Sequence, residues 1–181
     1  MQELSNGLAS PGLPLEERAR QAAELFQNAY RLQALGLADE AVEMFQRSIA
    51  VKPTAEAHTY LGRTYRVQGK VEEAIAECKA AIEIDPEFGN PYNDLGAYLV
   101  DEGRLAEATP WLERALGCLR YATPQYAWFN LGRVYEARDE LSLARACLRQ
   151  AIKLAPEYEP ALEAIRRVQE LIQARNLAIL G

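Results

Sequence analysis

Residues 128–156 read WFNLGRVYEARDELSLARACLRQAIKLAP. In that stretch Leu131-Gly132 is followed by Tyr135, Ala144, Leu148, Ala151 and Pro156, at 3, 12, 16, 19 and 24 residues after the glycine. The same offsets recur upstream. Leu95-Gly96 leads Leu99, Ala108, Leu112 and Ala115, with Arg120 where the proline would fall. Leu61-Gly62 leads Tyr65, Ala74, Cys78, Ala81 and Pro86. A degenerate copy is centred on Ala29, with Leu32, Ala41, Phe45, Ser48 and Pro53. The small residues are spaced by 33, 34 and 36 positions. A period of that length marks a repeat architecture, in which each repeat buries its apolar face against its neighbours.

Each repeat reads as two antiparallel helices. Gly36, Gly69 and Gly103 fall between the two helical patterns, where a left-handed C-cap needs a residue without Cβ. The fourth repeat has Arg138-Asp139 there instead. Pro53, Pro86 and Pro156 stop the second helix, because proline cannot continue the hydrogen-bond ladder. Ala29, Gly62, Gly96 and Gly132 let two helices approach closely, and large neighbours such as Trp128 and Tyr135 fill the flanks of that contact. The third repeat departs from this scheme. Pro110 lies inside its second helix and removes one internal hydrogen bond, and no proline closes that helix between Leu116 and Thr123. The two extra residues before the fourth repeat therefore predict a longer helix there, or a wider exit loop.

The pattern resembles the tetratricopeptide repeat family over roughly residues 22–158, and the fourth copy carries nearly all of that family's consensus. The resemblance implies an all-α, right-handed superhelical solenoid of antiparallel helix pairs, with a concave groove lined by each repeat's first helix. The expected repeats are about 22–54, 55–88, 89–124 and 125–158. Residues 159–178 extend the periodicity as a capping helix with Leu162, Ile165 and Val168 facing inward. Arg166 stands in it where the repeats demand a small residue, as a helix lacking an outer partner allows. Residues 15–181 are expected to form one solenoid, preceded by a flexible arm over residues 1–14 that contains Gly, Ser, Asn and Pro.

Composition agrees with the helical reading. The 181 residues hold 30 Ala and 24 Leu against 7 Val, 8 Ile and 5 Thr, so helix formers dominate and β-branched strand formers are scarce. At about 150 residues per domain the length allows a single domain. A net charge of −6 argues against nucleic acid as the main partner. No run approaches the roughly 18 apolar residues of a membrane span. Met1 to Pro14 lacks Lys, Arg and a signal-peptide core, and the three cysteines form no CxxC. A reducing, cytoplasmic setting is the expectation.

The inventory for catalysis is poor. The chain has one histidine and four serines, too few side chains for a convincing nucleophile, base and orienting acid. A Cys78–His58 dyad is conceivable, but His58 aligns with Leu25, Tyr92 and Trp128, all packing positions, and packing is the better reading. One histidine and three scattered cysteines lack zinc-ligand spacing. The Leu-Gly pairs lie within helices and cannot form a phosphate loop. Glu16-Glu17 and Glu72-Glu73 complement helix N-termini. No enzyme activity, cofactor or metal is expected.

The presumed groove is the better candidate. Residues six and three before each small residue, and one and four after it, share one face of the first helix. That face carries Phe26 and Tyr30, then Arg63 and Arg66, then Asn90 and Asn93, then Tyr126, Phe129 and Arg133, with Asp94 and Asn130 beside the row. Arginines, amides and aromatics are the residue types that hold an extended peptide. A carboxylate-bearing partner segment is expected, with Asn93 and Asn130 on its backbone and Ala97 leaving it room. The Lys/Asn clamp that some family members use for chaperone C-termini is doubtful here, since no lysine faces the groove. The alternative is an assembly element acting through its ends, motivated by the apolar tail Leu177-Ala178-Ile179-Leu180. A monomer is favoured over a homo-oligomer.

Overall fold

The computed structural model describes residues 14–180, and the fold is all-α. The expected arm falls outside the described residues, except for Pro14, which caps the first helix. Nine helices and one isolated bridge make up the described residues. The chain divides into two compact units, Met1–Pro86 and Glu87–Gly181.

The first unit contains α1 (Leu15–Ala34), α2 (Ala38–Val51), α3 (Ala55–Val67) and α4 (Val71–Ile84). Helices α1 and α2 pack as one pair and α3 and α4 as the next, with α2 against α3. Gly36 and Gly69 turn each pair at φ of 78° and 77°, in the left-handed region that the sequence reading requires of them. At the first crossing Ala29, Ala41, Phe45 and Leu61 form a closed cluster. At the second, a Cβ on Gly62 would lie 3.0 Å from the carbonyl oxygen of Ala74, so the two backbones nearly touch. Helix α1 has 20 residues against 13 in α3, and its extra turns are tied down. Arg18 donates from Nη2 to the Val51 carbonyl at 2.8 Å, and Ser48 Oγ donates to the Ala22 carbonyl at 2.8 Å. The first bond satisfies a carbonyl at the end of α2 that has no intrahelical donor, and the second gives the buried Ser48 hydroxyl its acceptor.

The second unit contains α5 (Gly89–Asp101), α6 (Leu105–Leu116), α7 (Pro124–Ala137), α8 (Leu141–Leu154) and α9 (Glu159–Leu180). A Cβ on Gly96 would stand 2.5 Å from Leu112 Cδ2, and one on Gly132 would stand 2.8 Å from Leu148 Cδ2. The offset of 16 residues therefore pairs a missing side chain with a buried leucine. Helix α9 packs on α8 and α7. Ala164 and Val168 join Leu141, Ala144 and Leu148 in one buried cluster, with Ile165 and Ile172 against it. Arg166 is exposed and Leu162 half-buried.

In the third repeat the extra residues widen the loop rather than lengthening the helix. Helix α6 has 12 residues where α2, α4 and α8 have 14, and residues 117–123 link it to α7. This segment folds back on the start of α5. Arg120 N donates to the Glu87 carbonyl at 2.9 Å, and Gly89 N to the Arg120 carbonyl at 3.0 Å. The Glu87 carboxylate accepts from Arg114 at 2.8 Å and from Leu119 N at 3.2 Å. Those donors, the guanidinium first, hold its carboxyl below the usual carboxylate range. Gly89 is obligatory at this contact, because a Cβ would sit 2.5 Å from Tyr121 Cβ.

The inner turn of the fourth repeat carries Asp139 at φ 65°, the one non-glycine with positive φ among the described residues. Left-handed backbone costs a side-chain-bearing residue roughly 1–2 kcal/mol, less for Asp. The Arg175–Asp139 ion pair is exposed and returns little. Asp139→Gly should therefore raise stability by about 0.5–1 kcal/mol in urea denaturation, and a loss of stability would show that the ion pair outweighs the backbone strain.

Candidate functional site

In the first unit the helix face singled out from the sequence is built on aromatic rings. Phe26 is half-buried and Tyr30 46% exposed, and both meet the ring of Tyr60 edge to face, at 5.4 and 5.5 Å between centroids. Tyr60 also stacks at 6.2 Å on the fully buried Phe45, which anchors the exposed rings to the core. The Arg63 guanidinium lies over the Tyr60 ring at 5.0 Å. Arg66 is half-buried one turn further along α3. Gln33 donates to Thr64 Oγ1 at 3.0 Å, joining the C-terminal halves of α1 and α3. The α1/α3 face thus combines rigid rings, a partly shielded cation and hydrogen-bonding rims. Tyr60 was absent from the sequence-derived set, although it holds the same place in its repeat as Asp94 and Asn130.

In the second unit the corresponding face is polar and internally bonded. Asn93 and Asn130 are only 7% and 5% exposed. Asn130 Nδ2 donates to Asn93 Oδ1 at 3.2 Å, and Asn93 Nδ2 to Asp94 Oδ1 at 3.3 Å. Arg133 donates from Nη1 to Asn130 Oδ1 at 3.2 Å and from Nη2 to Asp101 Oδ1 at 2.8 Å. The result is a chain from Asp94 through both amides and Arg133 to Asp101, linking α5 to α7. Asn90 is half-buried at the start of α5. Alongside the chain, Tyr126 and Phe129 each meet Tyr158 edge to face at 5.3 Å, and Arg133 lies over the Phe129 ring at 5.9 Å. Burial pushes the Tyr158 hydroxyl pKa upward. Tyr158 lies in the link before α9 and Asp101 ends α5, and no repeat offset marks either of them.

The histidine weighed for catalysis lies beside a carboxylate. His58 Nδ1 lies 2.6 Å from Glu77 Oε2 across α3 and α4. Cys78 is buried, and desolvation pushes the Cys147 thiol up to about 11. Among the described residues no cluster of His, Cys, Asp or Glu could hold a metal ion, and no helix is long and apolar enough to cross a membrane.

Sequence models of the tetratricopeptide repeat match residues 26–87, 92–120 and 125–158, more than half of the chain. Human tetratricopeptide repeat protein 7A is 30% identical over 141 residues, an alignment covering 77% of this chain and 16% of that protein. The chain therefore spans a small part of that relative's length. Among solved structures, the one from the functional characterization of Pseudomonas aeruginosa pilF superposes with a TM-score of 0.80 at 19% identity, covering 88% of this chain and 72% of that one. YrrB, described as a TPR protein with an unusual peptide-binding site, superposes with a TM-score of 0.65 at 20% identity, covering 84% and 78%. Both structures share the fold of this chain.

Proposed function

Given that the chain belongs to the tetratricopeptide repeat family, we propose that it is a non-enzymatic interaction module whose first-helix faces hold a peptide or helix of a partner protein. The observation that carries this reading is the α1/α3 face, where Phe26, Tyr30 and Tyr60 interlock and Arg63 covers the Tyr60 ring. Tyrosine and arginine held rigid before binding lose little entropy on it, which is why such residues dominate interface energies. The unusual peptide-binding site ascribed to YrrB is a precedent for this use of the fold.

The partner segment carries a carboxylate, met by Arg63, Arg66 or Arg133. Hydrogen bonds of Asn93 and Asn130 to each other favour a role in fixing Arg133 over a direct bond to the partner's backbone. Cys78, Cys118 and Cys147 form no disulfide with one another, which fits a reducing, cytoplasmic setting.

The test is capture from native lysate with quantitative mass spectrometry, followed by titration of the captured partner's segment. Each charge-assisted contact is worth about 1.5–3 kcal/mol. Arg63→Gln with Arg133→Gln should therefore weaken binding by well over tenfold, while the melting temperature stays close to that of the parent. Lys79→Gln, on the exposed side of α4, serves as the control. Arg18 is unsuited to that purpose, because it caps the α2 carboxyl end. Normal binding by the double variant would move recognition to the second-helix faces or the ends.

A further inference from the structure

Helix α8 departs from the charge pattern of the other second helices. Helices α2, α4 and α6 open with carboxylates in the first turn: Asp39 and Glu40, Glu72 and Glu73, and Glu107. Such residues complement the helix dipole. Helix α8 has none there, and no acidic residue in any of its 14 positions. Where the other repeats place Glu40, Glu73 and Glu107, eleven residues after the small residue, α8 carries Leu143, which is half-exposed. Arg145, Arg149 and Lys153 then follow at intervals of four. Like charges so spaced stand one above the other on a helix and repel. Among the described residues none of these three cations has a hydrogen bond or an ion pair to offset that. A helix that forgoes its dipole complement and stacks unpaired cations breaks local rules with no compensation inside the chain, which is the mark of a surface kept for something else.

We propose that the solvent-exposed side of α8 docks an amphipathic helix of a partner protein, with apolar side chains on its ridge and carboxylates along one flank. At about 100° per residue, Ser142, Ala146 and Gln150 run down the middle of that side. Arg149 and Lys153 line one flank, with the half-buried Arg145 at its inner edge, and Leu143 and Leu154 line the other. Serine and alanine in the middle let a second helix approach closely. At one end Ser142 and Leu143 also line a cavity of about 430 Å³, closed on its far side by Ile172 of α9, which offers a socket for one apolar anchor of the incoming helix. Helix α8 is about 21 Å long, so it matches a partner helix of three to four turns. Arg145 to Lys153 rises about 12 Å, the span of carboxylates at three successive i, i+4 positions. Charge selects this occupant. The whole chain is acidic, at −6, which opposes docking on an anionic membrane. A second copy is a poor match as well, because α4 sets Lys79 between Glu72 and Glu83 on one flank, and α2 follows Asp39 and Glu43 with Arg47. None of the α8 residues belongs to the first-helix faces considered above, so this surface stands apart from the function proposed there.

The probe is a synthetic helix, stapled so that it is helical before binding, with a leucine ridge and glutamates at three successive i, i+4 positions; its counterpart has lysine at those positions. Titrated with the full chain and followed by fluorescence anisotropy, the glutamate peptide should bind about tenfold tighter than the lysine peptide. Arg149→Glu with Lys153→Glu should reverse that preference, and Arg149→Gln with Lys153→Gln should reduce it. Ala146→Arg, which fills the middle of the seat, should weaken the glutamate peptide severalfold, and Arg63→Gln on α3 should leave it unchanged. Absence of binding, equal affinity for the two peptides, or a glutamate preference that survives the charge-reversed variant overturns the proposal. Binding that Arg63→Gln removes overturns it too, by placing the peptide on the α1/α3 face. Phosphatidylserine vesicles that bind the parent chain but not the charge-reversed variant, beside no peptide binding, would overturn it in favour of a lipid surface. A mass that rises with concentration in analytical ultracentrifugation, for the parent but not for that variant, would overturn it in favour of a second copy.

Discussion

Phe45→Ala should destabilise the protein by about 3–5 kcal/mol, a large share of the roughly 5–15 kcal/mol that holds a domain folded. Phe45 is fully buried against Ala29, Ala41 and Leu61. It also stacks on Tyr60 at 6.2 Å and meets Phe26 edge to face at 5.6 Å. Truncation removes the transfer energy of the ring and leaves a void that two helix pairs would have to close together. The rings of Tyr60 and Phe26 on one side and the close-packed Ala29, Ala41 and Leu61 on the other leave little freedom to do so. The same position holds Leu112 and Leu148 in the second unit, which makes Phe45→Leu the matched control, expected to cost less than about 2 kcal/mol. Urea denaturation followed by far-ultraviolet circular dichroism reads both variants. A loss below about 1 kcal/mol for the alanine variant would mean that Tyr60 and Phe26 collapse into the space. In that case the α1/α3 face would also lose its rigidity, and the entropic part of the argument for binding there would fail.

What made the fold readable is that the repeat offsets are geometric constraints. Gly62, Gly96 and Gly132 recur because the backbone or a leucine of the facing helix occupies the space of their missing Cβ. Gly36, Gly69 and Gly103 recur because the turn between paired helices demands a left-handed residue, and Asp139 meets the same demand at some cost. Periodicity therefore reports the helix pairs almost directly. It is silent where the chain departs from the period. The link at residues 117–123 is held by Glu87, Arg114 and the Phe88–Arg120 bridge, contacts that occur once and have no counterpart in the other repeats. From sequence, the missing proline showed that the helix end differs but not which way it differs.

The candidate site was legible to a lesser degree, for a related reason. Helical phase fixes which backbone positions share a face, and the ten residues chosen do lie along the first helices. Phase does not fix where a long side chain ends. Arg133 reaches a carboxylate 32 residues back, and Tyr126 and Phe129 find Tyr158 in a connecting segment outside any first helix. Asn93 satisfies the facing rule and Asn130 stands beside the row, yet both are buried, because each provides the partner that the other needs at close range. Conversely, Tyr60 escapes a rule based on four positions, since its ring swings over from the neighbouring one to join Phe26 and Tyr30.

Removing residues 159–181 should lower the melting temperature by tens of degrees or drive aggregation. The deletion takes Ala164 and Val168 out of the cluster they form with Leu141, Ala144 and Leu148, and uncovers the last of these on the outer side of α8. Ile165 and Ile172 leave with them. Burial of a few aliphatic side chains is worth about 1.5–3 kcal/mol each when complete, so even partial burial sums to several kcal/mol. In units near 100 residues each kcal/mol moves the midpoint by roughly 4–8 °C. Charge adds to the loss, since Arg167 donates to Glu136 at 2.6 and 2.9 Å, and the Glu136 side chain, 16% exposed, would lose that partner. Val168→Asp separates packing from simple shortening, because it keeps α9 but buries a carboxylate in the cluster. Both tryptophans, Trp111 and Trp128, lie in the second unit, so their fluorescence follows that unit alone. Truncation and point variant should shift the tryptophan transition by similar amounts if the cluster is what α9 supplies. A large shift for the truncation with none for Val168→Asp would assign the stabilisation to the polar edge of α9 instead. No shift in either would leave the exposed apolar face of α8 without a stabilising partner, and the cluster would contribute nothing to the fold.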